Sequence, residues 1–103
     1  MLEITEMQFP YEISKGVAVV DFFAPWCQPC RVVAPILEDV EKLYRKVNFV
    51  KVDLDACSSF IDSLKLKSVP TVVIFRDGLE VVRLVGLLDK AKYQAALDDV
   101  LAG

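Results

Sequence analysis

The chain has 103 residues, enough for one domain with a genuine core and too few for a second. Apolar side chains make up 54% of it and charged ones 26%, a balance that excludes a disordered chain. Twelve basic residues stand against 15 acidic ones for a formal charge of −3; without a basic run, nucleic acid is not an expected partner.

No apolar stretch approaches the roughly 18 residues of a membrane span, so a membrane is not an expected partner either. The opening "MLEITEMQFPYE" carries early glutamates where a secretory leader would place a basic and then an apolar block. The expected compartment is the cytoplasm.

Strand-like and helix-like segments alternate along the chain. "LEIT" reads as a short first strand, and Thr5 with Gln8 has the spacing of a capping box opening a short helix that Pro10 limits or kinks. "VAVVDFF", residues 17–23, is apolar on both alternate faces, as a central strand covered on each side should be, and Asp21 is its one polar member. From Cys27, apolar residues fall at Val33, Ile36, Leu37, Val40, Leu43 and Tyr44, which predicts a helix to about Lys46, bent at Pro35.

"VNFVKVDL", residues 47–54, reads as a second buried strand, and a short helix from Ser59 to Leu64 should turn Phe60, Ile61 and Leu64 inward. Together these make a βαβ pattern. "TVVIF" and "EVVRLV" flank Asp77-Gly78, a strong signal for a tight antiparallel hairpin, so the sheet should be mixed. The last helix should run from Asp89 as N-cap to Leu101, with Tyr93, Leu97, Val100 and Leu101 facing the sheet.

Three cysteines in a cytoplasmic chain do not suggest a structural disulfide framework. Cys27 follows a strand and precedes a helix, so its sulfur should sit at the helix N-terminus, where free amides and the macrodipole stabilise a thiolate. Pro29 suits a first helical turn, and Cys30 projects on the same side, close enough to close a disulfide ring with Cys27. A zinc site would need four ligands, whereas only Cys57 stands beyond the pair and the chain has no histidine. No metal and no cofactor is expected.

Asp21, set among Val19, Val20, Phe22 and Phe23, should lose hydration and have a raised pKa. The alternative is a strand-end aspartate facing solvent. A buried acid beneath a dithiol would accept the proton of the second cysteine and return it, joining Asp21 to the cysteines in one reaction.

The stretches "VVDFFAPWCQPCRVVAP", "KVDLD", "SVPTVVIFRDG" and "LVG" together resemble the thioredoxin family over nearly the whole chain. The resemblance implies an α/β thioredoxin fold, a central mixed five-stranded sheet flanked by about four helices, in one domain spanning 1–103. It also implies reversible thiol–disulfide exchange with disulfide-containing substrate proteins, recharged by a thioredoxin reductase-type electron donor, by a protein acting as a monomer. Cys27 would attack, Cys30 would resolve the mixed disulfide, and Asp21 would hold the proton with Lys51 tuning its charge. Pro70 matches a cis-proline that sets the Val69 backbone beside the dithiol, and Trp26, Gln28, Pro29 and Gly86 match the docking rim.

For Lys51 the alternative is an ordinary exposed strand lysine. Gln28 departs from the glycine commonest at its place, which bears on the reduction potential, and Phe23 replaces the usual tryptophan, losing a hydrogen-bond donor. Cys57, placed at the start of the third helix, reads as a buried small hydrophobe or, in a second reading, an oxidant-responsive thiol. Two rivals on the same scaffold stay open, a disulfide oxidase or isomerase and a non-catalytic interaction module.

Overall fold

A computed structural model describes residues 1–103. In chain order the elements are β1 (Leu2–Glu3), α1 (Phe9–Ile13), β2 (Val17–Phe23), α2 (Gln28–Glu41), β3 (Asn48–Asp53), α3 (Ser59–Ser63), β4 (Thr71–Arg76), β5 (Leu79–Val85) and α4 (Lys90–Ala102). The strands form one sheet in the order β1-β3-β2-β4-β5. β1, β3 and β2 run parallel, and β4 and β5 join antiparallel, so the sheet is mixed.

β2 lies at the centre because both of its faces are apolar and can only be satisfied under helices on each side. Ala18, Val20 and Phe22 pack with Phe9 and Ile13 of α1, Phe60 of α3 and Phe75 of β4. Phe9 and Phe60 have ring centroids 4.7 Å apart. Val17 and Val19 pack instead with Val33, Leu37 and Val40 of α2 and with Tyr93, Leu97 and Val100 of α4. By the strand's two-residue alternation Asp21 shares the face of Val17 and Val19, beneath α2.

The hairpin forms as its sequence predicts: Asp77 and Gly78 have φ of +49° and +86°, the double positive φ that lets a two-residue turn follow the strand twist. Asp77 is held further by the Gly16 N–H, which donates to its Oδ1 at 2.8 Å. Asp89 caps α4, accepting from the Lys92 N–H at 3.0 Å.

Several local expectations are corrected. α2 ends at Glu41, not near Lys46, and the chain leaves it through turns closed by Leu43 N–H to Val40 O and Val47 N–H to Tyr44 O. The apolar spacing ran on because Tyr44 still packs on the core after the helix has stopped, whereas Leu43, the other late apolar position, is exposed. In α3 only Phe60 is fully buried; Ile61 faces outward, since so short a helix covers the sheet with one side.

The reciprocal bonds of the Thr5–Gln8 box exist, Thr5 N–H to Gln8 Oε1 at 2.9 Å and Gln8 N–H to Thr5 Oγ1 at 3.3 Å. They close a turn ahead of α1, which starts at Phe9, so Pro10 falls in the first helical turn, where it breaks no helical bond. Cys57 precedes α3 by two residues.

Candidate active site

Cys27 is the N-cap of α2, with extended backbone (φ −84°, ψ 112°), and its Sγ accepts the Cys30 N–H at 3.2 Å. The sequence favours this cap locally. Pro29 falls in the first turn with its φ already helical, and the Cys27 N–H is tied back to Ala24 O at 3.1 Å. Cys27 and Cys30 are joined as a disulfide across a Cα–Cα separation of 5.3 Å. Both are 4% exposed, and Trp26, Gln28 and Pro29 stand exposed around them.

Asp21 lies beneath the pair, 1% exposed, and its Oδ1 has no hydrogen-bond partner. Burial pushes its pKa from 3.8 up to about 7, against a smaller opposing pull from the Lys51 ammonium. Lys51 sits directly across from Asp21 in the parallel β2–β3 register and is half-buried, with Nζ 5.5 Å from the centre of the Phe23 ring. The exposed strand lysine is therefore not what the fold makes of this residue. A cavity of about 220 Å³ is lined by Asp21, Lys51, Cys30, Phe23 and Arg31 among others, so the acid and Cys30 open on one space. It is large enough for water to carry a proton between them.

The Val69–Pro70 bond is cis, and Val69 packs against the cluster of Ala24, Cys27 and Cys30. The Gly86 N–H donates to Pro70 O at 2.9 Å, which fixes the β5 end beside this segment. Gly86 itself has φ +88°, a conformation a side chain would resist. The Val69 N–H and carbonyl make no hydrogen bond within the chain, leaving both groups free in the bend next to the dithiol. Between Trp26 and Val69 runs a groove of about 200 Å³ walled by Ile61, Leu54 and Leu66.

Two nearby groups escaped the sequence reading. Asp55 accepts from Trp26 Nε1 at 3.4 Å, and Arg31 donates to Pro25 O at 3.0 Å on the rim of the cavity. Asp55 followed the strand in "KVDLD", but nothing in that string pairs it with an indole 29 residues earlier. Cys57 is buried in the core on the α1 and α3 side, and that burial raises its thiol pKa above the ordinary value. No helix is long and apolar enough to cross a membrane.

The thioredoxin family model matches residues 1–99. A thioredoxin of Chlamydia pneumoniae is 41% identical over 87 residues, covering 84% of this chain and 85% of that one. One from Staphylococcus aureus is 34% identical over 99 residues, covering 95% of each. Among solved structures, a Plasmodium falciparum thioredoxin superposes with a TM-score of 0.87 at 35% identity, covering 95% of this chain and 98% of that chain. A redox pair capping a helix on this five-stranded sheet thus coincides with close sequence kinship, and the chain belongs to the thioredoxin family of thiol–disulfide oxidoreductases.

Proposed function

We propose that the chain reduces disulfides of other proteins in the cytoplasm, as a single monomeric domain without metal or cofactor. Thioredoxins act on disulfide substrates and are themselves reduced by thioredoxin reductase, and a donor of that type recharges this one. In the reduced form the Cys27 thiolate, favoured by the α2 N-terminus, attacks one sulfur of the substrate disulfide. The other substrate sulfur leaves as a thiolate, and a mixed disulfide to Cys27 forms. Cys30 then gives its proton to Asp21 and attacks the Cys27 sulfur. That closes the Cys27–Cys30 bond, releases the second substrate sulfur and moves two electrons to the substrate; the proton leaves Asp21 through the cavity.

Lys51 limits the rise in the Asp21 pKa, so that the group can both take and give a proton near neutrality. The substrate lies extended against the free Val69 backbone beside Pro70, with Trp26, Gln28, Pro29 and Gly86 as the rim it touches.

The observation that carries this reading is the disulfide at the helix cap above a buried, unpartnered carboxyl. Insulin reduction with dithiothreitol as electron source tests it: Cys27→Ser should abolish turnover, and full activity in that variant would refute the assigned attack. A Cys27–Cys30 couple more reducing than glutathione marks a reductant; a markedly more oxidising one would make the protein an oxidase or isomerase.

A further inference from the structure

The segment between α3 and β4 presents Val69, and its fastening comes from an unexpected quarter. α3 ends in a two-bond C-terminal motif, with Leu66 N–H donating to Ile61 O at 3.0 Å and Lys65 N–H to Asp62 O at 3.3 Å. Lys65 holds the left-handed residue of that motif, φ +54°, where glycine is usual. The carbonyls of Leu64 and Lys65 are left over, and both accept from Arg83 of β5: Nη2 reaches Leu64 O at 2.8 Å and Nη1 reaches Lys65 O at 3.2 Å.

The guanidinium is aimed by Glu80, which it grips with two bonds, Nε to Oε2 at 2.9 Å and Nη2 to Oε1 at 2.8 Å. An irregularity in the hairpin makes this possible. Ile74 pairs with Val82 and Phe75 with Glu80, so Val81 is an extra residue in β5, and the bulge brings Glu80 and Arg83 onto one face of the sheet. Without it, two residues three apart on a strand would point to opposite faces. At the far end of the same segment, Thr71 Oγ1 donates to Ser68 O at 2.7 Å and Leu66 is buried.

We propose that Arg83 is a positioning residue for substrate: aimed by Glu80 across the Val81 bulge, it clamps residues 64 and 65 and thereby holds the Val69 backbone where a substrate strand must pair. Arg83 touches neither sulfur, so it acts on the docking of protein disulfides and not on the reactivity of Cys27. The proposal rests on the docking role given to Val69, and its test separates the two.

The wild type, Arg83→Met, Arg83→Gln and Arg83→Lys are compared in steady-state insulin reduction with dithiothreitol as electron source, and, after pre-reduction and removal of dithiothreitol, in the single turnover of the small disulfide dithiodipyridine, which needs no strand pairing. Methionine and glutamine should raise KM for insulin about tenfold with kcat little changed, while the dithiodipyridine rate stays within about twofold of wild type. Lysine, able to reach a carbonyl but not to fork between Glu80 and two of them, should restore part of the loss. Amide exchange at residues 64–69 should quicken in the methionine and glutamine variants.

An unchanged insulin KM in either folded variant overturns the proposal, as does an equal loss on both substrates. The Val69 reading is judged separately, by whether a peptide trapped on Cys27 of the Cys30→Ser protein slows exchange at the Val69 amide. Slowed exchange with no KM effect removes Arg83 alone; unslowed exchange removes the docking reading, and the proposal with it.

Discussion

Replacing Asp21 by asparagine should make the protein more stable, and by an amount set by pH. The carboxyl is 1% exposed with an orphaned oxygen, and its pKa stands at about 7 where the unfolded chain has 3.8. The folded state therefore holds the proton more tightly than the unfolded one. Between those two values unfolding releases a proton, so wild-type stability declines as pH rises through the window and levels off above about pH 8. At roughly 1.4 kcal/mol per pKa unit, ionising Asp21 in place costs the folded state about 4 kcal/mol.

Asparagine keeps the shape, removes the ionisation, and should recover that amount at pH 8 but less than about 1 kcal/mol at pH 4. Urea unfolding of the oxidised proteins at several pH values measures it, with a constant denaturant slope as the check that both unfold alike. A stability difference that did not change with pH would refute the burial argument, and a less stable variant at pH 8 would reverse it.

The same variant should be a poorer catalyst. In single-turnover reduction of a protein disulfide, Asp21→Asn should form the mixed disulfide at the wild-type rate and resolve it at least about tenfold more slowly near pH 7; equal resolution rates would remove the proton-transfer role. In a protein lacking Cys27 and Cys30, the buried Cys57 should react with a thiol reagent only on unfolding, and rapid labelling of the native protein would restore the regulatory reading. Lys65→Gly should stabilise by about 0.5–1 kcal/mol, the left-handed penalty of lysine less the extra chain entropy of glycine, measurable as a shift in urea midpoint.

What was legible in the sequence is what local chemistry determines. An apolar run on both alternate faces can only be a covered strand, Asp-Gly supplies two residues that tolerate positive φ, and an aspartate before a helical period caps it; β2, the hairpin and α4 all follow, although Leu101, expected to face the sheet, is exposed in the last turn. The buried acid was legible for the same reason, since Asp21 had nowhere to go on a strand with no polar face. Helix ends were less so: Tyr44 keeps the helical spacing by packing against the core from a turn after α2 has ended.

Contacts that depend on an irregularity in a strand were illegible. Arg83 reaches α3 only because a bulge puts it on the same face as Glu80, and a string of residues does not record a bulge. Lys51 illustrates the middle ground. Its proximity to Asp21 depends on register, which two parallel strands acquire from the packing of both faces.

Turnover in the proposed reaction depends on Cys27 being the ionised, attacking sulfur. Alkylation of the reduced protein by iodoacetamide across pH, with the modified cysteine identified by peptide mass, tests it most directly. The expected result is labelling at Cys27, at least about tenfold ahead of Cys30, with a midpoint clearly below the ordinary cysteine value of about 8.5. Labelling shared equally between the two, or a midpoint at the ordinary value, would contradict it.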